Sequence, residues 1–370
     1  MNADGYHAER IFASPHAHGG AEIRRTMLQV LLALAPATLF GFWLYGWPAF
    51  FLWLLTLFFA QTFEFISLRL TGNTGQTGSP GDGSALLTGW LLAMTLPPWS
   101  PWWVGALGAF IAIVIGKQVF GGLGQNVFNP AMAARVALLV SFPLQLTAWV
   151  APLPFSGLAA PGFLDSLRIT LGQIPVPDAM TSASLLGHVK TELSRGVGLA
   201  QVLAADAPRL SWLGVRSGSL GESSSLLLLM GGTFLLATRV IRWQAPLGVL
   251  AGALIPAAIA HGIAPETYLD AASHLLSGAL MLGAFFIATD YVTSPATGAG
   301  RLIFGLGVGL LTWIIRTLGG YPEGVAFAIL FMNALTPIID RYVRPRILGR
   351  TRSGQPLRRP ATPPGAGKGA

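Results

Sequence analysis

The sequence contains no cysteine. The chain therefore cannot supply thiolates to an iron–sulfur cluster, form a disulfide or carry out thiol redox chemistry. Charged residues are also scarce, because Asp, Glu, Lys and Arg make up only 10% of the 370 residues, whereas a soluble globular domain carries about 25%. So little charge cannot coat a water-facing surface of this size, which excludes a soluble globular protein.

Hydrophobic residues make up 52% of the chain, and the mean hydropathy is +0.60. The segment 27–47 contains no charged residue, and about 20 apolar residues suffice to cross a bilayer core of about 30 Å. Several apolar segments are short or contain Gly and Pro, which indicates interrupted helices in a packed bundle. The sequence predicts an all-α polytopic membrane protein with about ten transmembrane helices, at residues 25–47, 49–66, 85–97, 102–120, 128–142, 224–238, 245–263, 272–289, 302–317 and 323–340.

The basic residues predict the orientation of these helices. With the N-terminus inside, 17 of the 23 lysines and arginines fall on the inner side, Lys117 and Arg135 among them. The remaining 6, which include Lys190, Arg216 and Arg316, fall on the outer side. Because positive charge gathers at the cytoplasmic ends of transmembrane helices, both termini are predicted to be cytoplasmic. The net charge of +8 reflects this topology and does not indicate nucleic-acid binding.

A large, less apolar insertion separates two halves that resemble each other. Residues 85–89 match residues 279–283, residues 121–122 match residues 319–320, and Asn129 matches Asn333. Since each half holds an odd number of helices, the sequence predicts two inverted five-helix repeats, which form sites at their interface. The predicted domains are a cytoplasmic arm (1–23), a first membrane repeat (24–142), an extracytoplasmic loop (143–223), a second membrane repeat (224–347) and a disordered basic tail (348–370).

The extracytoplasmic loop contains a hydroxyl-rich segment, DAMTSAS, at residues 178–184. Pro175 and Pro177 break the chain just before it. Taken alone, these residues indicate a turn in which Asp178 or Thr181 caps a short helix.

The same segment resembles the signature at which a flavin transferase attaches FMN through a phosphoester to a hydroxyl side chain. The proteins with this signature form one membrane family. It includes the RnfD subunit of the Rnf electron-transport complex and the NqrB subunit of the sodium-translocating NADH:quinone reductase, and this chain is more similar to the Rnf branch. Further stretches that support the resemblance are GQNVFNPA at 124–131, GSLGE at 218–222, DYVTSP at 290–295 and FMNALTP at 331–337.

The resemblance implies a covalent FMN on Ser184, at a position where the family usually has threonine. Serine offers the same hydroxyl without the methyl group. Thr181 is the alternative acceptor, and Asp178 would be recognised by the transferase. An unmodified chain is the third alternative.

The resemblance also implies a function and a set of partners. The chain would be the flavin-carrying subunit of an ion-translocating ferredoxin:NAD(+) oxidoreductase in the bacterial inner membrane. It would pass electrons through the FMN and couple this to Na+ or H+ transport. Partner subunits would hold the iron–sulfur, flavin and NAD sites, and this chain alone would supply no catalytic side chain and no metal site. The alternatives are a channel or transporter for small polar solutes, and the quinone-reductase subunit.

Four acidic residues within or at the ends of predicted helices are candidates for an ion path: Glu64, Asp290, Glu323 and Asp340. A carboxylate in hydrocarbon is costly and usually functional. The alternative for Glu64, Asp290 and Asp340 is that they lie at the interface or form ion pairs, with Arg341 or Arg301 as partners.

Asp290, Thr293 and Ser294 have a second interpretation. The family resemblance implies a noncovalent flavin near them, either FMN or riboflavin, whereas the residues alone fit a helix-ending turn.

Three local patterns predict backbone features. Asn129 is predicted to cap a helix that begins at Pro130. Ser219 and Glu222 are predicted to form a capping box for the sixth span, with a site at the outer mouth of the repeat interface as the alternative. Glycines at 305, 307 and 309 within one span indicate close helix packing.

Overall fold

The computed structural model describes residues 20–72, 81–155, 157, 160–176, 181–182, 184–206 and 212–344. This part of the chain is mostly helical, which confirms the predicted all-α class. Apart from residues 20–23, the predicted arm and the predicted tail lie outside the described residues. The helices in chain order are α1 (Gly20–Tyr45), α2 (Trp47–Leu70), α3 (Ser84–Thr95), α4 (Trp102–Phe110), α5 (Pro130–Ser141), α6 (Pro143–Thr147), α7 (Phe163–Thr170), α8 (Leu185–Ser194), α9 (Leu199–Asp206), α10 (Ser225–Ala237), α11 (Gln244–Ile263), α12 (Ala271–Leu276), α13 (Leu280–Leu282), α14 (Gly298–Thr317) and α15 (Val325–Tyr342).

All ten predicted segments contain helix, but they differ in length. Six helical segments are long and apolar enough to cross a membrane, at Ile23–Tyr45, Trp47–Leu70, Trp102–Phe120, Gln244–Ile263, Gly298–Thr317 and Val325–Tyr342. The helices α3 and α5 have 12 residues each and α10 has 13, which gives them about 18–20 Å at 1.5 Å per residue. The segment predicted at 272–289 is divided into α12, α13 and a π-helix at Gly283–Ile287. The fold is therefore a bundle of full and interrupted helices.

The first interruption lies before α5. The Asn129 side chain accepts a hydrogen bond from the backbone N of Met132 at 3.2 Å, and Pro130 occupies the first helical position. Asparagine suits this position because its side-chain oxygen satisfies an amide that has no partner within the helix. This confirms the predicted cap.

The prediction for Ser219 and Glu222 was wrong. The Ser219 hydroxyl donates to the Glu222 carboxylate at 2.8 Å, and residues Leu220–Glu222 form a short 3-10 turn. The cap of α10 is Ser224, whose Oγ accepts from the backbone N of Leu227 at 3.3 Å. The error arose because this extra turn places Ser219 too far ahead of the helix.

Two ion pairs with a basic residue at matching positions of the halves are consistent with the predicted inverted arrangement. Lys117 lies near the end of the fourth span and donates to Glu64 and to Ser84, where α3 begins. Arg316, at the end of α14, donates to Glu323, and Glu323 accepts from the backbone N of Ala279, just before α13. In both repeats, a basic residue at the end of one helix therefore reaches the start of the preceding short helix.

These two ion pairs lie on opposite faces of the bundle. Tyr45, beside the start of α2, donates to the carbonyl of Arg216 at 2.8 Å. Arg216 Nη2 lies 3.4 Å from the hydroxyl of Ser225, and this hydroxyl donates to the carbonyl of Leu276. Leu276 lies next to Ser277, whose carbonyl accepts from Arg316. Glu64 lies further along α2 by about 25 Å of helix. We call the two sides the Lys117 face and the Arg316 face.

Glycine allows α11 and α14 to pack closely against each other. A Cβ atom on Gly305 of α14 would lie 3.0 Å from the Cα of Gly248 on α11. Small residues let helix backbones approach closely in a membrane, where no hydrophobic effect drives helices together. The predicted role of this glycine run is confirmed.

Candidate functional site

Ser184 lies at the N-terminus of α8. Its Oγ accepts from the backbone N of Gly187 at 3.3 Å, and its side chain is buried. Ser184 is thus itself the helix cap, a role that the sequence suggested for Asp178 or Thr181. Asp178 lies outside the described residues. The Oγ of Ser184 therefore lies at this helix end, where an anion is electrostatically favoured.

Thr181 belongs to a short strand pair. Residues Thr181–Ser182 pair in antiparallel fashion with Trp149–Val150, with Val150 opposite Thr181. This pairing ties the segment before Ser184 to the beginning of the insertion.

Lys190 anchors α8 to the membrane core. Its Nζ donates to the carbonyls of Tyr321 at 3.2 Å and Arg316 at 3.4 Å, and also to that of Gly319. Partial burial lowers the pKa of Lys190 from its ordinary value. Ser184 is therefore carried by a helix that is fixed to the loop between α14 and α15, on the Arg316 face.

Glu323 lies in this same loop and is ion-paired. Its Oε2 accepts from Arg316 Nη2 at 2.8 Å and from the backbone N of Ala279 at 3.0 Å. Its Oε1 accepts from the backbone N of Val325 at 3.1 Å. Burial alone would raise the pKa of Glu323, but Arg316 and the backbone amides outweigh it and hold the pKa below the ordinary value.

A cavity opens between the repeats on the Lys117 face. Its volume is ≈ 100 Å³. Aliphatic and aromatic side chains, together with Met27, form most of its wall. The cavity is thus apolar with a few polar groups, of which the main ones are Lys117, Asn126, Asn129, Thr289 and Asp290.

Asp290 joins this cavity to a hydrogen-bonded turn. Its Oδ2 accepts from Thr293 Oγ1 at 3.0 Å and from Asn129 Nδ2 at 3.4 Å. The Ser294 hydroxyl donates to the Asp290 carbonyl at 2.6 Å. Burial raises the pKa of Asp290. Of the three residues suggested for a second flavin, Asp290 lines the cavity, whereas Thr293 and Ser294 are buried in the turn.

Asn129 and Asn333, which match in the two repeats, are in direct contact. The backbone N of Asn129 donates to Asn333 Oδ1 at 3.0 Å, and Asn333 Nδ2 donates to the carbonyl of Thr293 at 3.1 Å. The repeat interface is therefore closed by hydrogen bonds beside the cavity.

Glu64 and Asp340 also lie on the Lys117 face. Glu64 is buried and pairs with Lys117, and Arg69 instead places its guanidinium 4.4 Å from the centre of the Phe65 ring. Asp340 Oδ1 accepts from the backbone N of Ala296 at 3.0 Å. Three of the four candidate ion-path acids thus lie on this face, and only Glu323 lies on the other.

No group of three or more His, Cys, Asp or Glu residues that could hold a metal ion occurs in the part of the chain that the structure describes.

Known proteins resemble the chain over most of its length. The model of the NQR2, RnfD, RnfE family matches residues 10–349. The chain belongs to this family. It is 50% identical to the D subunit of the ion-translocating oxidoreductase complex of Halorhodospira halophila over 348 residues, which cover 94% of this chain and 97% of that protein. The identity to the protein of the same name from Stutzerimonas stutzeri is 52% over 338 residues, which cover 91% and 95% of the two chains.

Membership of this family confirms the resemblance drawn from the motifs. The matched region includes the Ser184 segment, the cavity residues and both ion pairs. These relatives are subunits of an ion-translocating oxidoreductase complex, and the family places this chain among multi-pass membrane subunits of that general kind.

Several basic residues that take part in these sites were not predicted to do so from the sequence. Lys117, Lys190, Arg216 and Arg316 were counted only as topology signals. Arg135, assigned to the inner side, is 9% exposed and lies within α5. One signal was present in the sequence, because the match of residues 121–122 with 319–320 brings Lys117 and Arg316 to nearly equivalent positions.

Proposed function

We propose that this protein is the flavin-carrying membrane subunit of an Rnf-type ion-translocating ferredoxin:NAD(+) oxidoreductase. Ser184 carries FMN through a phosphoester, and electrons pass through this flavin while the complex moves Na+ or H+. The Arg316 face is extracytoplasmic, and the Lys117 face and both termini face the cytoplasm of a bacterial cell. Partner subunits supply the iron–sulfur clusters and the NAD site, because this chain has no cysteine.

The observation that carries the proposal is the position of Ser184 at the start of a helix of 10 residues. A phosphate on its Oγ would lie beside the backbone amides of the first helical turn and the positive end of the helix dipole, both of which favour an anion. Lys190 keeps this helix fixed to the core. The flavin supplies one- and two-electron chemistry, and the chain supplies its position and electrostatic surroundings.

The cavity on the Lys117 face is proposed to hold a second, noncovalent flavin, FMN or riboflavin. Apolar walls suit the flat ring, and Asn126, Asn129 and Asp290 offer hydrogen-bonding groups for its polar edge. With the FMN on Ser184, this second flavin would place one redox centre on the Arg316 face and one on the Lys117 face.

Mass spectrometry of the peptide that contains Ser184 tests the covalent flavin. The chain is produced together with a flavin transferase, and the peptide is expected to carry the mass of FMN. The denatured protein should fluoresce in a gel. Ser184→Thr should keep the flavin, and Ser184→Ala should lose it.

Ser184→Asn is the matched control, since asparagine preserves a helix cap but offers no hydroxyl. It should fold like the original chain and carry no flavin. An unmodified peptide from the original chain, in cells that flavinylate other proteins, would contradict the covalent-flavin proposal and would favour the channel alternative. A tightly bound quinone and NADH-linked partners would favour the quinone-reductase subunit.

A further inference from the structure

The turn Leu220–Glu222 is wedged between the two repeats near the Arg316 face. Leu220 packs against Gly41 of α1, and Gly221 lies against the carbonyl of Met94 at the end of α3 and against Leu282 of α13. Glu222, the last residue of the turn, is 9% exposed. Its carboxyl group is therefore placed where helices of both repeats meet.

The two acids of this region are held differently. Glu323 accepts hydrogen bonds from Arg316 and from three backbone amides, so that its negative charge is fixed. The Glu222 carboxylate accepts from the Ser219 hydroxyl at 2.8 Å. Its nearest arginine, Arg216, binds the Glu222 backbone carbonyl at 2.7 Å and 3.1 Å and not the carboxylate. When two nearby acids differ in this way, the less stabilised one retains its proton more readily.

Arg135 adds an independent observation. It is 9% exposed, its Nη1 has no hydrogen-bond partner, and its charge acts on Glu222 and Glu323. A guanidinium group stays charged, and a buried charge without a partner is costly. Ionised Glu222 would compensate this charge, whereas protonated Glu222 would not.

The charges around Glu222 also limit which ion can enter. Three arginines, Arg135, Arg216 and Arg316, act on this region against the two carboxylates. One positive charge is therefore left over even when both acids are ionised, which opposes the entry of a metal cation. The hydroxyl of Tyr45 and the ring of His274 are the other titratable groups nearby.

We propose that Glu222 is a proton-exchange site at the extracytoplasmic end of the repeat interface, and that it is selective for protons over Na+. The O–H bond of the protonated carboxyl breaks, its electron pair stays on the carboxylate, and the proton passes to water at the outer end of the repeat interface. Arg135 then balances the carboxylate. The direction of net flow rests on the proposed function, whereas the exchange itself does not.

The pKa of Glu222 supports this site. Burial, followed by the charge of Glu323, raises it above the ordinary value despite the opposing effects of Ser219 and the arginines. The ionised form is thus disfavoured in the folded protein. The contribution of protonated Glu222 to the stability of the folded protein is complete below the ordinary pKa of a glutamate. It is lost as the pH rises through the raised pKa.

Infrared difference spectra of the purified complex, recorded as the pH is raised, test the proposal. A protonated-carboxyl band is expected to disappear with rising pH, and this band should be absent from Glu222→Gln. Asp165→Asn removes an exposed acid of α7 and is the matched control, which should keep the band. The band's persistence in Glu222→Gln would overturn the proposal.

Two further variants keep the test decisive if Glu222→Gln does not assemble. Ser219→Ala and Arg135→Gln should each raise the midpoint of the carboxyl titration. For Arg135→Gln the rise should be about one pH unit or more. Arg135→Lys keeps the positive charge and should bring the midpoint most of the way back to that of the original protein. Replacing Na+ by K+ should leave the midpoint unchanged. A midpoint that moves with Na+ but not with Arg135 would contradict a proton-selective site.

In proteoliposomes that contain the whole complex, Glu222→Gln should reduce proton release during turnover by about tenfold or more. The flavin content of Ser184 should stay unchanged. Unchanged proton release would contradict the proposal. Because the infrared signal needs no flavin, a chain with unmodified Ser184 would overturn the proposed function and leave this test intact.

Discussion

At corresponding ends of the two repeats, the ion pairs Lys117–Glu64 and Arg316–Glu323 are built on different principles. The first joins two side chains that are each 3% exposed, and only Ser84 adds a further side-chain contact to Lys117. The second joins a buried arginine to a carboxylate that is 26% exposed and rests on backbone amides. The ion pair beside the cavity is thus formed mainly by side chains. The ion pair beside α8 is supported by hydrogen bonds from backbone amides. The difference teaches that the Lys117 face depends on charge balance and the Arg316 face on geometry.

The largest expected effect comes from breaking the charge balance at the Lys117 face. Glu64→Leu would leave the Lys117 ammonium buried without its counter-charge, which costs about 3–5 kcal/mol. The melting temperature of the detergent-solubilised chain should fall sharply. The double variant with Lys117→Met should recover most of the loss, and an equal loss in the double variant would show that charge balance is not the cause.

An intermediate effect is expected from changing geometry but not charge at the Arg316 face. Arg316 also donates to the carbonyls of His274 at 2.9 Å and Ser277 at 3.1 Å. In Arg316→Lys, a single ammonium cannot reach these acceptors and Glu323 together, and the loss should be about 1.5–3 kcal/mol. The melting temperature should fall less than for Glu64→Leu. If Arg316→Lys proved neutral, charge alone would hold this face as well.

The smallest effect is expected from Lys190→Met, which removes the contact of α8 with the loop before Glu323. The change should destabilise this docking by about 1 kcal/mol, and amide exchange should accelerate in residues 185–194 and 318–323 while the melting temperature stays nearly constant. Arg195→Met is the matched control, because Arg195 pairs with Glu192 at the exposed end of the same helix. Equal exchange in the two variants would rule out a specific anchoring role for Lys190.

The sequence predicted those parts of the fold that depend on neighbouring residues. Apolar runs located all ten helical segments, and the Asn129–Pro130 pair located a helix start, because both signals act within a few residues along the chain. The inverted repeat followed from matched motifs and an odd helix count. The hydroxyl-rich segment predicted a capped helix start, but it assigned the cap to Asp178 or Thr181 and not to Ser184.

Contacts between distant segments could not be predicted in this way. Glu64 lies close to Arg69 in sequence, yet its partner is Lys117, which is distant in sequence and is brought near by tertiary packing. Arg135 was counted among the cytoplasmic charges, because nothing local distinguishes an arginine at a helix end from one buried within a short helix. The partner of a charge is decided by tertiary packing, which a single sequence does not specify.

Gly278 separates α12 from α13 with a φ of 66°, a conformation that glycine adopts at little cost. The space that a Cβ would fill at this position is occupied by the Glu323 carboxylate and the Arg316 guanidinium. Any larger residue would have to displace one of them. A substitution intended to join α12 and α13 into one continuous helix would therefore break the ion pair between Arg316 and Glu323. The helix break at Gly278 and the Arg316–Glu323 ion pair therefore depend on each other, and neither can be changed alone.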